Sequence, residues 1–379
     1  MKSTIAALLY ASFLLLALRV QAAEGEPARD TVDKTALLQR AAAALEQHRA
    51  SGRSDYLDEA EAAVSAALNK APDDFLAQRS EVEVLLARHA DSTALARSRE
   101  LNRRFPDDLD TYALLIDAEL ALGLYREAES DTQRLLDLRP DHLPGLVRAA
   151  RLRELYGDWQ GAIDVLNASL NRVTEDEREL RARLYTQLAR LHVGAGNQDI
   201  ADQALAAALG ALPDYPPALR EGVRIARQRG ASAQALRMAE HLYRVLPAEH
   251  ELLLLARAAA AAGQGVRAAP MLRDFVTRAH AIAARDDNAN LALSSYYAFE
   301  GHDIPRAVSF AVSARAQRAD VDTLFTYATA LHRAGRDLEA KKVIASLKQL
   351  GYRDLDFLAL ADTVHPGVAS AADSSNHLR

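Results

Sequence analysis

The sequence predicts an all-α fold, a solenoid of antiparallel helix pairs stacked along the chain. Three observations predict it. Pro72, Pro106 and Pro140 are evenly spaced at 34 residues, and Pro247 again stands 34 beyond Pro213. Gly123 recurs at Gly157, Tyr125 as Trp159, Ala128 as Ala162 and Leu136 as Leu170, all at the same period. The chain has 379 residues, 49% of them hydrophobic and 26% charged, with 12 Pro and 17 Gly, an ordinary globular composition. A fixed period of this length marks units that bury their apolar faces only against their neighbours.

In chain order, the first expected segment is a leader, residues 1–22. Lys2 gives a positive start, Ile5 to Leu18 is apolar apart from Ser12, and Val20-Gln21-Ala22 offers small residues before a cut at Ala23. The apolar run is short for a membrane span. The expected location is the periplasm or outside the cell, with no transmembrane segment after cleavage. Residues 23–32 read as a loose segment. Residues 33–49 then place Leu37, Leu38, Ala41, Ala42 and Leu45 on one helical face. Tyr56, Ala60, Val64, Ala67 and Leu68 mark a second helix, stopped before Pro72.

The proline spacing then sets units at 75–108, 109–142, 143–176, 182–215, 216–249, 249–282, 287–320 and 321–354, which with the first makes nine repeats over 37–354. Each carries a small residue at one place in its second helix: Ala94, Ala128, Ala162, Ala201, Ala235, Ala268, Ala307 and Ala340. Small residues let two helices approach closely. An insertion is expected around Glu175–Glu179. The 249–282 unit carries Pro270 inside its second helix, and the 287–320 unit has one extra residue between Gly301 and Ala307. Residues 355–365 read as a capping helix, and 366–379 as a disordered tail.

Tyr112, Gly123, Tyr125, Ala128 and Pro140 with their echoes at Tyr156, Gly157, Trp159 and Ala162 resemble the tetratricopeptide repeat. The resemblance covers nearly all of the chain beyond the leader. It implies a right-handed superhelix used as a protein-binding scaffold. Departures sit where the family has a Gly in its first helix: Ile116, Ala150, Ala189 and Val223 stand there, and Arg257 is assigned to that place in the 249–282 unit.

Composition excludes several functions. A net charge of −6 argues against a nucleic-acid partner, and 0 Cys removes disulfides, thiol catalysis and cysteine metal sites. No phosphate loop, nucleophile elbow or H-E-x-x-H helix occurs. The 11 His show no i,i+4 pairing. The acidic runs Glu175-Asp176-Glu177 and Asp286-Asp287 fall between repeats and read as helix caps. No catalytic, cofactor-binding or metal residues are assigned, no cofactor is expected, and the protein is read as no enzyme.

One binding site is expected. The resemblance places the ninth residue of each first helix in the concave groove: Glu83, Asp117, Arg151, Arg190, Arg224, Arg257, Ser295 and Thr329. Four consecutive arginines make a basic stripe, which Arg220 and Arg227 flank. Guanidinium suits carboxylate recognition. Arg151, Arg190, Arg220, Arg224, Arg227 and Arg257 are therefore the expected contacts for an acidic peptide or partner protein. Tyr112, Tyr125, Tyr156, Trp159, Tyr185 and Tyr243 are expected to pack between repeats, and Phe325 to line the inner surface. The function read from this is a non-enzymatic scaffold of the bacterial cell envelope. Two alternatives are a periplasmic scaffold contacting an anionic polymer in exopolysaccharide secretion or envelope assembly, and a helical-superstructure enzyme of cell-wall metabolism. The second would need a catalytic domain that the residues outside the repeats are too few to form.

Overall fold

A computed structural model describes residues 27–283 and 287–364. The expected leader, the tail 366–379 and Asp286 lie outside the described residues. The described residues are 82% helical and form a helical solenoid. Its helices pair as α1 (Pro27–Ser51) with α2 (Ser54–Lys70), α3 (Phe75–Ala87) with α4 (Asp91–Arg104), α5 (Leu109–Leu122) with α6 (Tyr125–Leu138), and α7 (Leu143–Leu155) with α8 (Trp159–Leu170). They continue as α9 (Arg178–Gly194) with α10 (Gln198–Ala211), α11 (Pro216–Gln228) with α12 (Ser232–Val245), and α13 (Glu249–Ala261) with α14 (Gly265–Ile282). Last come α15 (Asp287–Phe299) with α16 (Ile304–Gln317), α17 (Val321–Arg333) with α18 (Asp337–Leu350), and a single final helix α19 (Leu355–Val364).

The pairing follows from two local devices. The recurrent alanine of the second helix is buried in every unit, from 0% exposure at Ala94 and Ala128 to 3% at Ala235. A larger side chain there would push the two helices apart. At the end of the first helix the backbone turns left-handed at His89, Gly123, Gly157, Gly196, Gly230, Gly263, His302 and Gly335. The next amide then closes the helix end: Leu124 donates to the Glu119 carbonyl and Asp158 to the Arg153 carbonyl, both at 2.8 Å. Histidine thus fills the glycine role twice. Around His302 the closing bond runs from Asp303 to the Tyr297 carbonyl, one residue longer, and this absorbs the extra residue of that unit.

Two sequence expectations need correction, for residues 23–32 and for Arg257. Residues 23–32 were expected to be loose, yet α1 begins at Pro27, whose fixed φ suits a helix start. Arg257 does not occupy the small-residue place of its unit; Ala256, 0% exposed, sits beside it and packs in the core. Pro270 does not break α14, which runs through it from Gly265 to Ile282. The carbonyl that loses its helical donor belongs to Val266, 94% exposed, so water can reach it. Phe325 packs edge-on against Phe357 of α19, with ring centroids 6.4 Å apart, and stays partly exposed.

The superhelix closes on itself. Ala319 donates its amide to the Leu122 carbonyl at 3.2 Å. Val321 donates to the Tyr125 hydroxyl at 2.8 Å across 196 residues of sequence. The Gly157 turn lies against Gly351, and the Gly52 turn against Leu246 and Pro216. One superhelical turn therefore brings the middle repeats under the C-terminal ones. Glycine is required at Gly123 for two reasons: φ is 78°, and a Cβ would stand 2.5 Å from the Ala319 carbonyl group.

Candidate functional site

Closure turns the concave groove into a lumen. Arg151 of α7, Arg190 of α9 and Arg224 of α11 converge on one cavity of about 230 Å³. Trp159, Asp322 and Tyr352 line it too, so the C-terminal repeats supply its far wall. The other three expected contacts lie outside this cavity.

Every one of the six arginines already holds a carboxylate. Glu154 takes two: Arg190 binds it through both nitrogens at 2.6 and 2.8 Å, and Arg151 at 2.8 Å. Burial opposes the charge on Glu154, but the two guanidiniums outweigh it and hold the carboxyl at about 2. Arg224 pairs with Glu221, makes a 3.1 Å bond to Gln228, and stands 3.9 Å from Asp354. Arg220 binds Glu251 at 2.8 Å, and Arg257 binds Glu300 at 2.8 and 2.9 Å and Ser295 at 2.9 Å. Arg227 pairs with Asp356, at the start of α19. The basic stripe is thus neutralised residue by residue, with carboxylates from its own helices and from the far wall. Glu154 and Glu221, on the same first helices, are legible in the sequence as neutralising neighbours; Asp354 and Asp356 are not, because they come from the opposite side of the superhelix.

Asp322 differs from these acids. It is exposed to the lumen, and burial by the surrounding protein raises its carboxyl, offset in part by Arg151 and reinforced by Asp320. The lumen therefore holds the paired guanidiniums of Arg151, Arg190 and Arg224 on one wall and Asp322, Arg353 and Asp354 on the other.

The expected packing aromatics divide. Tyr112 is buried at 2% exposure. Tyr125, at 9%, serves the closure of the superhelix as well as its own repeat. Trp159 packs over Gly194 at the rim of the lumen. Glu177 caps the turn before α9, accepting from the Thr174 amide at 2.8 Å and hydroxyl at 2.7 Å. Among the described residues no group of three or more His, Asp or Glu could hold a metal ion, and no helix is long and apolar enough to cross a membrane.

No protein-family model matches the chain, and no curated relative matches its sequence. Solved structures do match. Human IFIT1, in a dimer with PPP-AAAA, aligns at a TM-score of 0.50 and 14% identity, covering 82% of this chain and 79% of that one. The Cut9–Hcn1 hetero-tetramer of the APC/C aligns at 0.48 and 16% over 73% of this chain; the alignment spans 52% of the matched chain's length. PilW, a type IV pilus biogenesis factor, aligns at 0.44 and 15%, covering 52% of this chain and 90% of its own. What is shared is the fold, a helical solenoid of the tetratricopeptide type.

Proposed function

We propose that this tetratricopeptide-type solenoid is a non-enzymatic scaffold that holds an acidic segment of a partner protein in its lumen. The observation that carries the reading is the convergence of Arg151, Arg190 and Arg224 on one cavity, beside the aromatic rings of Trp159 and Tyr352. Binding is an exchange. The partner's carboxylates replace the internal ones, so attraction is gained only where the internal pair is loose. Arg224, reaching Asp354 at 3.9 Å, is the loosest of these contacts. An exchange of ion pairs gives selectivity more than raw affinity, because each incoming charge must match a guanidinium already placed.

The test is recovery of partners from a cell-envelope extract. The double charge reversal R190E/R224E is expected to lose them while helicity by circular dichroism is unchanged. E154Q removes the shared counter-ion of Arg151 and Arg190 and is expected to retain or increase recovery. Equal recovery by the native chain and the double reversal would sink the reading. A partner fraction made of acidic polysaccharide instead of protein would move the proposal to an anionic polymer as ligand.

The same reading places the protein in the bacterial cell envelope, exported by residues 1–22. It is supported by the charged start, apolar run and small residues before Ala23. N-terminal sequencing of the protein from cells is expected to begin at Ala23; a sequence beginning at Met1 overturns export with cleavage.

A further inference from the structure

The outer face of the solenoid carries a second cleft, unrelated to the lumen. It runs between α4 and α6 with α5 as its floor and encloses about 860 Å³. Glu119, on the floor, is 1% exposed. Its Oε2 meets no hydrogen-bond partner, and neither does Asn102 Oδ1, which lines the same cleft. The nearest cation is Arg99, whose guanidinium stands 3.6 Å from Glu119 Oε1 and whose side chain is half exposed. That is a loose contact for a carboxyl that is 98% removed from water.

The repeat shows how unusual the position is. The carbonyl that closes the first helix belongs to Leu85, Ala226, Ala259 and Leu331 in four other units, to Arg153 and His192 in two more, and to Glu119 here. In four units alanine or leucine satisfies the packing at this place, and Glu119 puts a carboxyl there that is 1% exposed. A buried carboxyl costs stability there, and it brings orphaned oxygens to the cleft floor.

Charge is balanced over the whole cleft but divided by depth. The buried Glu119 and the half-buried Asp131 face Arg99, while Arg103, Arg126 and Glu127 stand exposed at the rim. Burial, with Asp131 next in effect, pushes the Glu119 carboxyl up to about 7. Burial raises Asp131 as well. Two carboxyls this close can share one proton, the protonated one donating to its neighbour. A cation with several donors does the same work better. Admitted in place of Arg99, it offers donors to Glu119 and Asp131, and both acids then ionise. Three acids without a fourth oxygen cage do not make a metal site. A planar guanidinium or an ammonium on a flexible stem suits the open cleft.

We propose that this outer cleft is a binding site for a basic side chain of a partner protein, an arginine or lysine, with Glu119 and Asp131 as its counter-ions and Asn102 as a further acceptor. Arg99 swings aside to admit it. The proton held by the acid pair leaves to solvent as the cation enters, so binding tightens as pH rises through neutrality.

The test is calorimetric titration of the full chain with a capped peptide, acetyl-Ala-Arg-Ala-Arg-Ala-amide. It is run at pH 7 in two buffers of different ionisation enthalpy. Saturable binding is expected, with about half a proton released per site, because Glu119 is about half protonated there. E119Q and D131N are each expected to weaken binding about tenfold or more and to abolish proton release. Both remove charge without removing volume, and circular dichroism checks that they fold. E175Q, an exposed acid far from the cleft, is expected to bind as the native chain does. Equal affinity of native and E119Q chains overturns the proposal, because the attraction then comes from the overall negative charge. Binding without proton release overturns it as well, as does the absence of saturation at millimolar peptide.

Discussion

At the scale of single residues, Glu154 and Glu119 carry opposite signs of pH dependence. Glu154 is held at about 2, below its ordinary 4.5. Its contribution to stability is present above the unfolded value and is lost as pH falls through the folded one. Glu119 is raised to about 7, so the folded state holds its proton where the unfolded state does not. Stability from Glu119 is therefore greatest below pH 4.5 and declines as pH rises toward 7 and beyond. After allowance for screening by nearby solvent, the decline amounts to about 1–2 kcal/mol. Thermal melts of E119Q between pH 5 and 8 are expected to lack it, and an equal slope in both proteins would contradict the assignment. Two glycines give a second comparison. Gly263 has φ 79° and open space around it, so G263A is expected to cost about 1 kcal/mol. Gly123 has the same backbone angle but abuts Ala319, so G123A is expected to cost about 3 kcal/mol by urea denaturation, the backbone penalty plus displacement of a packed turn.

At the scale of the helix, the sequence was most legible where one residue type serves one local purpose. The recurrent alanines and the Gly turns name the two helices of each unit without reference to anything distant. The ends were less legible. Pro270 has a local cost inside α14, yet the orphaned carbonyl falls on an exposed turn where water satisfies it. P270A is accordingly expected to raise stability by about 1 kcal/mol, restoring the bond to Val266. α19 behaves in the opposite way. Phe357 is 0% exposed, between Phe325 and Tyr352, so F357A is expected to lower stability by about 3–4 kcal/mol. A loss below 1 kcal/mol in denaturant melts would mean that α19 does not seal the last repeat.

At the scale of the whole molecule, the period gave the fold but not its closure. Nothing in a 34-residue spacing says that Val321 meets Tyr125 or that Arg227 meets Asp356. Those meetings depend on the pitch of the superhelix, which is set by small rotations accumulated over several units. The candidate site was legible to the same depth. The column of arginines and its same-helix partners Glu154 and Glu221 can be counted off the repeat, whereas the contacts to Asp354 and Asp356 cannot, since these arrive from the far wall. Glu119 was legible in principle, as a carboxyl where four other units carry alanine or leucine. It was passed over because a Glu in a helix is unremarkable until its neighbours are known.

The contact between the Gly123 turn and Ala319 also bears on how the chain comes apart. An open array of repeats behaves as a line of dominoes, each unit held only by the next, and its ends fray first. Here the line is bent until an early unit touches a late one, so neither can leave without breaking a contact made by the other. Melting is expected to be a single steep transition seen alike by far-ultraviolet dichroism and by the fluorescence of the lone tryptophan, Trp159. In G123A the same two signals are expected to separate, as the ring reverts to a line whose ends release before its middle.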